Sequence, residues 1–333
     1  MPKRRIIPLF IPHAGCPNQC VFCDQKKISG TATPVTPEQV RAEIERSLPR
    51  AGNNCELAFY GGSFTAMDVE VQRGLLEAAR PFLESGAVGR IRLSTRPDAV
   101  SPEICGMLRD YGVTVVELGC QSMDETVLHL SQRGHSPEDT KRAVACLRAC
   151  GFGVILQMMT GLPGDTGAQS VETAKQLIAL RPDGVRIYPT VVLRGTRLET
   201  MMQAGEYVPQ SVEAAVALCA KLYEMFLNHG IPVIRVGLNP TDSLTAGEAV
   251  AGAYHPALGE LVLSELYRRR AEELLRKADG QTDVILEVHP SRVSVMTGQH
   301  RKNLKDLKQR FGLHTIAVCG GNRDLWEIFL KKP

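Results

Sequence analysis

The sequence predicts an α/β protein: a partial (β/α)6 barrel over residues 1–240, a connecting loop and helix over 241–278, and a small α/β unit over 279–333. Three observations predict it. Short β-rich runs alternate with amphipathic stretches through the first two thirds of the chain, the pattern of parallel βα units joined by right-handed crossovers. Glycines and polar side chains gather where those runs end, as at Gly61-Gly62 and Gly161, which puts a ligand site beyond the strand C-termini. The 333 residues, 44% hydrophobic and 23% charged, suffice for one large core with an appendage and exclude a disordered or collagen-like chain.

Charge and cysteine usage narrow the class. Lys plus Arg number 39 against 36 Asp plus Glu, a net charge of +3, so any nucleic-acid footprint is local. The basic start at Lys3-Arg4-Arg5 leads into an apolar run cut by Pro8 and Pro12, unlike a signal peptide, and no run of about 18 apolar residues occurs. A soluble, cytoplasmic protein without membrane contact is expected. In a reducing compartment the ten cysteines are expected to bind metal where they cluster, rather than to form disulfides.

The first strand, Arg5 to Ile11, runs straight into Cys16-Pro17-Asn18-Gln19-Cys20-Val21-Phe22-Cys23, three thiols within eight residues at the barrel mouth. Cubane iron–sulfur clusters usually take four cysteines, so three leave one iron open for catalysis. The same cysteines with His13 also form a legal Cys3His zinc set. A helix over Pro37 to Ser47 leads to the second strand, Leu57 to Tyr60, and then Gly61-Gly62-Ser63. There glycine permits φ > 0 and close backbone approach to a ligand. Val69 to Leu83 is helical. The third strand, Ile91 to Ser94, ends in Ser94-Thr95-Arg96-Pro97-Asp98, and a helix over Pro102 to Tyr111 precedes the fourth, Val113 to Leu118, which runs on to Gln121-Ser122. Polar groups bunched at a strand exit need partners or a ligand.

The helix Pro137 to Cys150 carries Cys146 and Cys150 on one face, either a second cluster site or apolar packing beside Ala143, Val144 and Leu147. The fifth strand, Val154 to Met159, ends near Gly161; Met158 and Met159 point opposite ways, so one of them belongs to the core. After a helix over Ser170 to Leu180, the sixth strand, Val185 to Tyr188, leads into Pro189 to Thr196. Tyr188 there is a candidate for substrate bonding or radical handling, or a buried structural tyrosine. A helix over Val212 to Asn228 and a run over Pro232 to Val236 close the barrel unit. His255, past a small-residue loop, either reaches over the barrel mouth or caps local structure. A long helix, Leu258 to Lys277, precedes a strand over Val284 to Val288, a strand over Arg292 to Met296, Gly298-Gln299-His300-Arg301, a helix over Lys302 to Phe311 and a strand over Thr315 to Val318. Arg301, Lys302, Lys305 and Lys308 make this unit locally basic, as a phosphate-receiving surface or as a solvated helix face.

The CxxxCxΦC spacing, with Phe22 as its aromatic, resembles the signature of the radical S-adenosylmethionine (radical SAM) enzymes, which use a TIM-like partial barrel. The resemblance implies that Cys16, Cys20 and Cys23 hold a 4Fe–4S cluster whose fourth iron chelates SAM. It implies too that a reductant such as flavodoxin or ferredoxin drives cleavage to methionine and a 5′-deoxyadenosyl radical. Gly61-Gly62-Ser63 is similar to the family's GGE segment, with Ser63 in place of the acid. Ser94 and Gln121 become candidate SAM contacts, Arg133 a partner for its carboxylate, and the Gly161 edge a surface for adenine.

Together with Arg186 to Thr196, these segments resemble the radical SAM half of the Elongator catalytic subunit, which modifies wobble uridine in transfer RNA; the likeness covers residues 5–240. The ~55 residues after Lys277 are too few for that subunit's acetyltransferase domain, so its acetyl transfer is not expected. Gly298 to Val318 is similar to a KH RNA-binding core, with Arg301 where its second glycine would stand. An RNA-modifying radical SAM enzyme is the expectation. The cluster spacing is also similar to that of coproporphyrinogen-oxidase-like enzymes, and the alternative expectation is a radical SAM enzyme or haem-handling protein acting on a small molecule or tetrapyrrole. A zinc-stabilised RNA-binding protein is the reading from another class.

Overall fold

The computed structural model describes residues 5–11, 14–29, 35–52, 54–241, 244–278 and 282–331. Seven parallel strands form one sheet in chain order: β1 (Ile6–Phe10), β2 (Cys55–Tyr60), β3 (Val88–Thr95), β4 (Val113–Gln121), β5 (Gly153–Thr160), β6 (Gly184–Pro189) and, after a short β7 (Val191–Leu193), β8 (Val233–Val236). The sheet curls into a half-barrel with β1 and β8 as its edges, so the expected partial barrel is found and the run over Pro232 to Val236 adds a seventh strand. Strands buried on both faces read as near-continuous apolar runs, which is why most were legible. Leu57, Leu93, Val116, Leu156 and Ile187 are all fully buried.

Parallel neighbours need crossovers, and the helices that supply them start on side-chain caps. Thr36 and Gln39 form a capping box at α2 (Pro37–Ala51), after a short α1 (Gln25–Ser29). Asp68 caps α3 (Val69–Glu84) and Ser101 caps α4 (Pro102–Asp110). Beyond α5 (Glu125–Leu130), Ser136 and Asp139 box α6 (Pro137–Ala149). Thr166 and Gln169 box α7 (Gly167–Ala179), which therefore begins three residues before the expected Ser170. The remaining helices are α8 (Arg197–Gln203), α9 (Val212–Asn228) and α10 (Leu258–Lys277). A two-stranded antiparallel ribbon joins β7 to β9 (Ala249–Gly252). Among the described residues no helix is long and apolar enough to cross a membrane.

The chain divides into two compact units, residues 1–211 with 226–256, and residues 212–225 with 257–333. The segment expected as a connector contributes α10 to the second unit. There, β10 (Asp283–Val288) is flanked by β11 (Thr315–Gly320) in parallel and by β12 (Ile328–Lys331) in antiparallel pairing. The strand expected over Arg292 to Met296 is instead a helix, α11 (Val293–Thr297), followed by α12 (Lys302–Phe311). Val293 and Val295 favour strand locally, but both edges of β10 are already paired. A helix lets Met296 enter the core beside Val288 and Leu307 instead. The result is a β-α-α-β-β unit in which Gly298–Arg301 joins the two helices, with His300 and Arg301 both at positive φ (51° and 60°).

Candidate active site

Inward-facing residues alternate along each strand, and towards the strand C-termini they line one cavity: Tyr60 from β2, Ser94 from β3, Glu117 from β4, Gln157 and Met159 from β5, Arg186 and Tyr188 from β6. Met158, pointing the other way, is wholly buried, so it is the core member of its pair. Deeper in the barrel the polar residues form a charge network. Glu117 accepts hydrogen bonds from Arg92 (2.8 Å), Arg186 (3.0 Å) and the Tyr60 hydroxyl (3.3 Å). Glu56 accepts from Arg92 (2.6 Å) and Arg90 (2.7 Å). Burial opposes ionisation of Glu56, but those two guanidinium groups outweigh it and hold its carboxyl below the usual range. Burial, and then the Glu117 charge, push the Tyr60 phenol pKa up, so it stays a neutral hydroxyl.

The cysteine loop forms one wall of this cavity, with Cys16, Cys20 and Cys23 all on the lining. The main chain at Val21 donates to Ser131 O (3.2 Å) and accepts from Leu198 N (2.8 Å), tying the loop to the ends of α5 and α8. Val21 and Phe22 pack with Val127, Leu162, Val192, Leu198 and Tyr207, so the aromatic of the cysteine motif anchors the loop. Side chains turn donors towards the sulfurs: Arg133 Nη1 to Cys20 Sγ at 3.4 Å and Gln25 Nε2 to Cys23 Sγ at 3.3 Å. Cys16 Sγ lies 3.6 Å from Ser63 Oγ. Burial, and then the neighbouring Cys20, push the Cys23 thiol up to about 12. Such thiols give up their protons readily only to a bound cation.

The fold gathers most of the sequence-predicted residues here. Gly61, Gly62, Ser63, Ser94, Gln121, Arg133 and Tyr188 all line the cavity with the three cysteines. Gly62 is needed for an approach within the chain itself, since a Cβ there would meet Ile11 O at 2.4 Å and Ala14 O at 2.5 Å. The cysteine loop thus lies against the glycine turn. The β4–β5 register shifts between Gly119 and Gln121, and Gln121 sits at φ 65°, a left-handed conformation that L-residues adopt at a cost. Its Oε1 accepts from Gln157 at 3.3 Å. Arg133 donates its second Nη to Gly119 O at 2.7 Å, and its carbonyl accepts from Arg96, itself clamped on Asp98.

Two expected site residues lie elsewhere. Gly161 is not on the cavity lining: its carbonyl accepts from Tyr207 and its amide donates to Asp165. His255, between β9 and α10, is also off the lining. Burial pushes the phenol pKa of Tyr188 up, which keeps it a neutral donor. His13 lies outside the described residues. Arg301, Lys302, Lys305 and Lys308 are all exposed in the second unit, along the loop and outer face of α12. Sequence reasoning missed Tyr60, Gln157 and Arg186 as cavity residues; their signal was a polar side chain at an inward-facing position of an otherwise largely apolar strand.

His135 yields a pH prediction. It is buried with Nε2 3.1 Å from Cys120 O, so Nε2 carries the proton and donates. Burial first, and the Arg133 charge second, lower its pKa from 6.5 to about 4. The unfolded chain therefore takes up a proton below about 6.5 that the folded chain refuses until about 4. This stabilisation is complete above the upper value and is lost as pH falls towards the lower one, of order 3 kcal/mol in all. In urea unfolding at pH 7.5 and pH 5, wild type is expected to lose more stability than His135→Gln, which keeps the donor without titrating. Parallel losses would remove the assignment.

Comparison with known proteins places this geometry. The family model described as the radical SAM superfamily matches residues 10–177, and one described as the radical SAM C-terminal domain matches residues 182–268. An uncharacterised protein of Methanocaldococcus jannaschii is 27% identical over 277 residues, 79% of this chain and 82% of that protein. A tRNA uridine(34) acetyltransferase of Methanocaldococcus infernus is 33% identical over 201 residues, 54% of this chain but only 38% of that enzyme. Among solved structures, Elp3 of Methanocaldococcus infernus with an N-terminal deletion superposes with a TM-score of 0.64 at 25% identity, covering 80% of this chain and 63% of that one.

Proposed function

The chain belongs to the radical SAM superfamily, and from that premise we propose that it cleaves S-adenosylmethionine reductively at a 4Fe–4S cluster to modify a nucleoside in RNA, with transfer RNA as the favoured substrate. The observation that carries the proposal is the convergence of the three-cysteine wall, the glycine turn and the polar strand ends on one cavity at the C-terminal edge of the half-barrel. The residues fit the group, since three thiols stand on one loop, two of them facing N–H donors that favour the thiolate. When bound by Cys16, Cys20 and Cys23, the cluster would supply the electron for reductive cleavage of SAM to methionine and a 5′-deoxyadenosyl radical able to take hydrogen from the substrate.

The chain's own residues bind, orient and exclude water. Cys16, Cys20 and Cys23 are the cluster ligands, and Arg133 sets its positive charge against the sulfur of Cys20. The backbone at Gly61-Gly62 and the side chains of Ser63, Ser94 and Gln121 offer SAM its polar contacts. On the substrate side Tyr188 and Tyr60 present neutral hydroxyls and Arg186 a charged donor, while the Glu117 carboxylate accepts from Tyr60 and Arg186. Phe22, Val191 and Leu193 on the lining keep water from the reacting atoms.

Support for RNA comes from two directions. Relatives bear the name tRNA uridine(34) acetyltransferase, and the second unit sets Arg301, Lys302, Lys305 and Lys308 on an exposed face beside a loop joining two helices. The test compares modified nucleosides in RNA from a deletion strain, its complemented parent and a strain carrying a Cys20→Ala copy. A nucleoside lost on deletion and restored only by the intact gene is the expected result. Unchanged nucleosides in all three strains would overturn the RNA substrate.

A further inference from the structure

Cys146 and Cys150, four residues apart at the C-terminal end of α6, share one helix face. The fold brings a third thiol to them from a different element. Cys105 of α4 is wholly buried, its Sγ is 3.8 Å from Cys146 Sγ, and all three sulfurs lie within 4.8 Å of one another. Among the described residues this is the trio of Cys, His, Asp or Glu donors that converges so closely. None of the three lines the cavity described above.

We propose that Cys105, Cys146 and Cys150 form a second metal site that holds a single Zn²⁺ through three thiolates, with water in the fourth position. Sulfurs at the usual Zn–S length of about 2.3 Å in a tetrahedron stand about 3.8 Å apart, the separation found between Cys105 and Cys146. Thiols that merely pack do so through any of their atoms, whereas here all three sulfurs lie within 4.8 Å of one another. A disulfide joins two sulfurs at about 2.05 Å and leaves the third thiol unused. An iron–sulfur cubane attaches each cysteine to a different iron and so spreads the sulfurs, whereas one ion draws all three onto a single atom. Zinc has no preferred geometry from its d-electrons and tolerates three protein ligands plus water. Cys146 and Cys150 are half-buried, which gives the ion a path in. Binding exchanges three thiol protons for the cation, and the ion ties α4 to α6 on the outer layer of the half-barrel.

Metal analysis of the anaerobically reconstituted full chain tests this, because iron reports the cysteine loop and zinc reports the trio. About one zinc per chain is expected in wild type, and Cys150→Ser is expected to lose it with iron unchanged. Cys150 caps its helix and is half-buried, so the near-isosteric serine leaves the fold intact; Cys146→Ser is the second variant. Co²⁺ added in place of zinc is expected to give thiolate charge-transfer and tetrahedral d–d bands in wild type, absent from both variants. Equal zinc in wild type and variants, no saturable zinc in wild type, or loss of iron with Cys150→Ser would each overturn the proposal.

Discussion

Cys20→Ala is expected to bind less iron after anaerobic reconstitution and to form no detectable 5′-deoxyadenosine, whereas Arg133→Met keeps its iron and loses about 10- to 100-fold of the rate. The two variants separate ligation from support. Cys20 is buried at the centre of the loop, held between the Ser131 and Leu198 contacts of its neighbour Val21, and among the described residues the cavity lining has no thiol besides Cys16, Cys20 and Cys23. Arg133 touches Cys20 Sγ through one nitrogen and Gly119 O through another, so removing it leaves the ligands while withdrawing a positive charge and a donor from the sulfur. The measurement is iron per chain beside 5′-deoxyadenosine under a chemical reductant. Full activity in Cys20→Ala would falsify the ligand assignment. Full activity in Arg133→Met would leave that arginine a purely structural role.

How far the site was legible follows from sequence separation. The cysteine loop is local, three thiols in eight residues, and could be read directly. Gly61, Ser94 and Gln121 could be read because each ends an apolar run, and in parallel α/β sheets such ends share one edge. The charge network could not. Tyr60 and Arg186 are 126 residues apart, and Arg186 and Glu117 69 apart, so only the curl of the sheet makes them partners. Cys105 hid for the same reason: on its own helix it reads as an apolar filler, and only the packing of α4 beside α6 gives it company. The helix over Val293 to Thr297 misled because β-branched residues favour strand, while the strand before them, β10, already has both of its edges paired, by β11 and β12.

The charge network carries the other large prediction. Glu117→Ala is expected to cost about 3–5 kcal/mol of stability, because Arg92 keeps Glu56 while Arg186 is left buried with no carboxylate. Buried ion pairs seldom exist for stability, since apolar residues of similar volume serve as well or better. Glu117→Leu combined with Arg186→Met should therefore recover most of the loss in urea unfolding. It keeps the network's excess of one positive charge, since three arginines face two glutamates before the change and two face one after it. Any functional defect that remains then reflects geometry rather than net charge. The double variant deprives the Tyr60 hydroxyl of both its partners on the cavity side. It is expected to fold, to hold its iron, and to form modified nucleoside at least about 10-fold more slowly. Normal product formation in that stable double variant would show that the ion pairs only shape the barrel, and would move the search for substrate contacts to Tyr188 and Gln157.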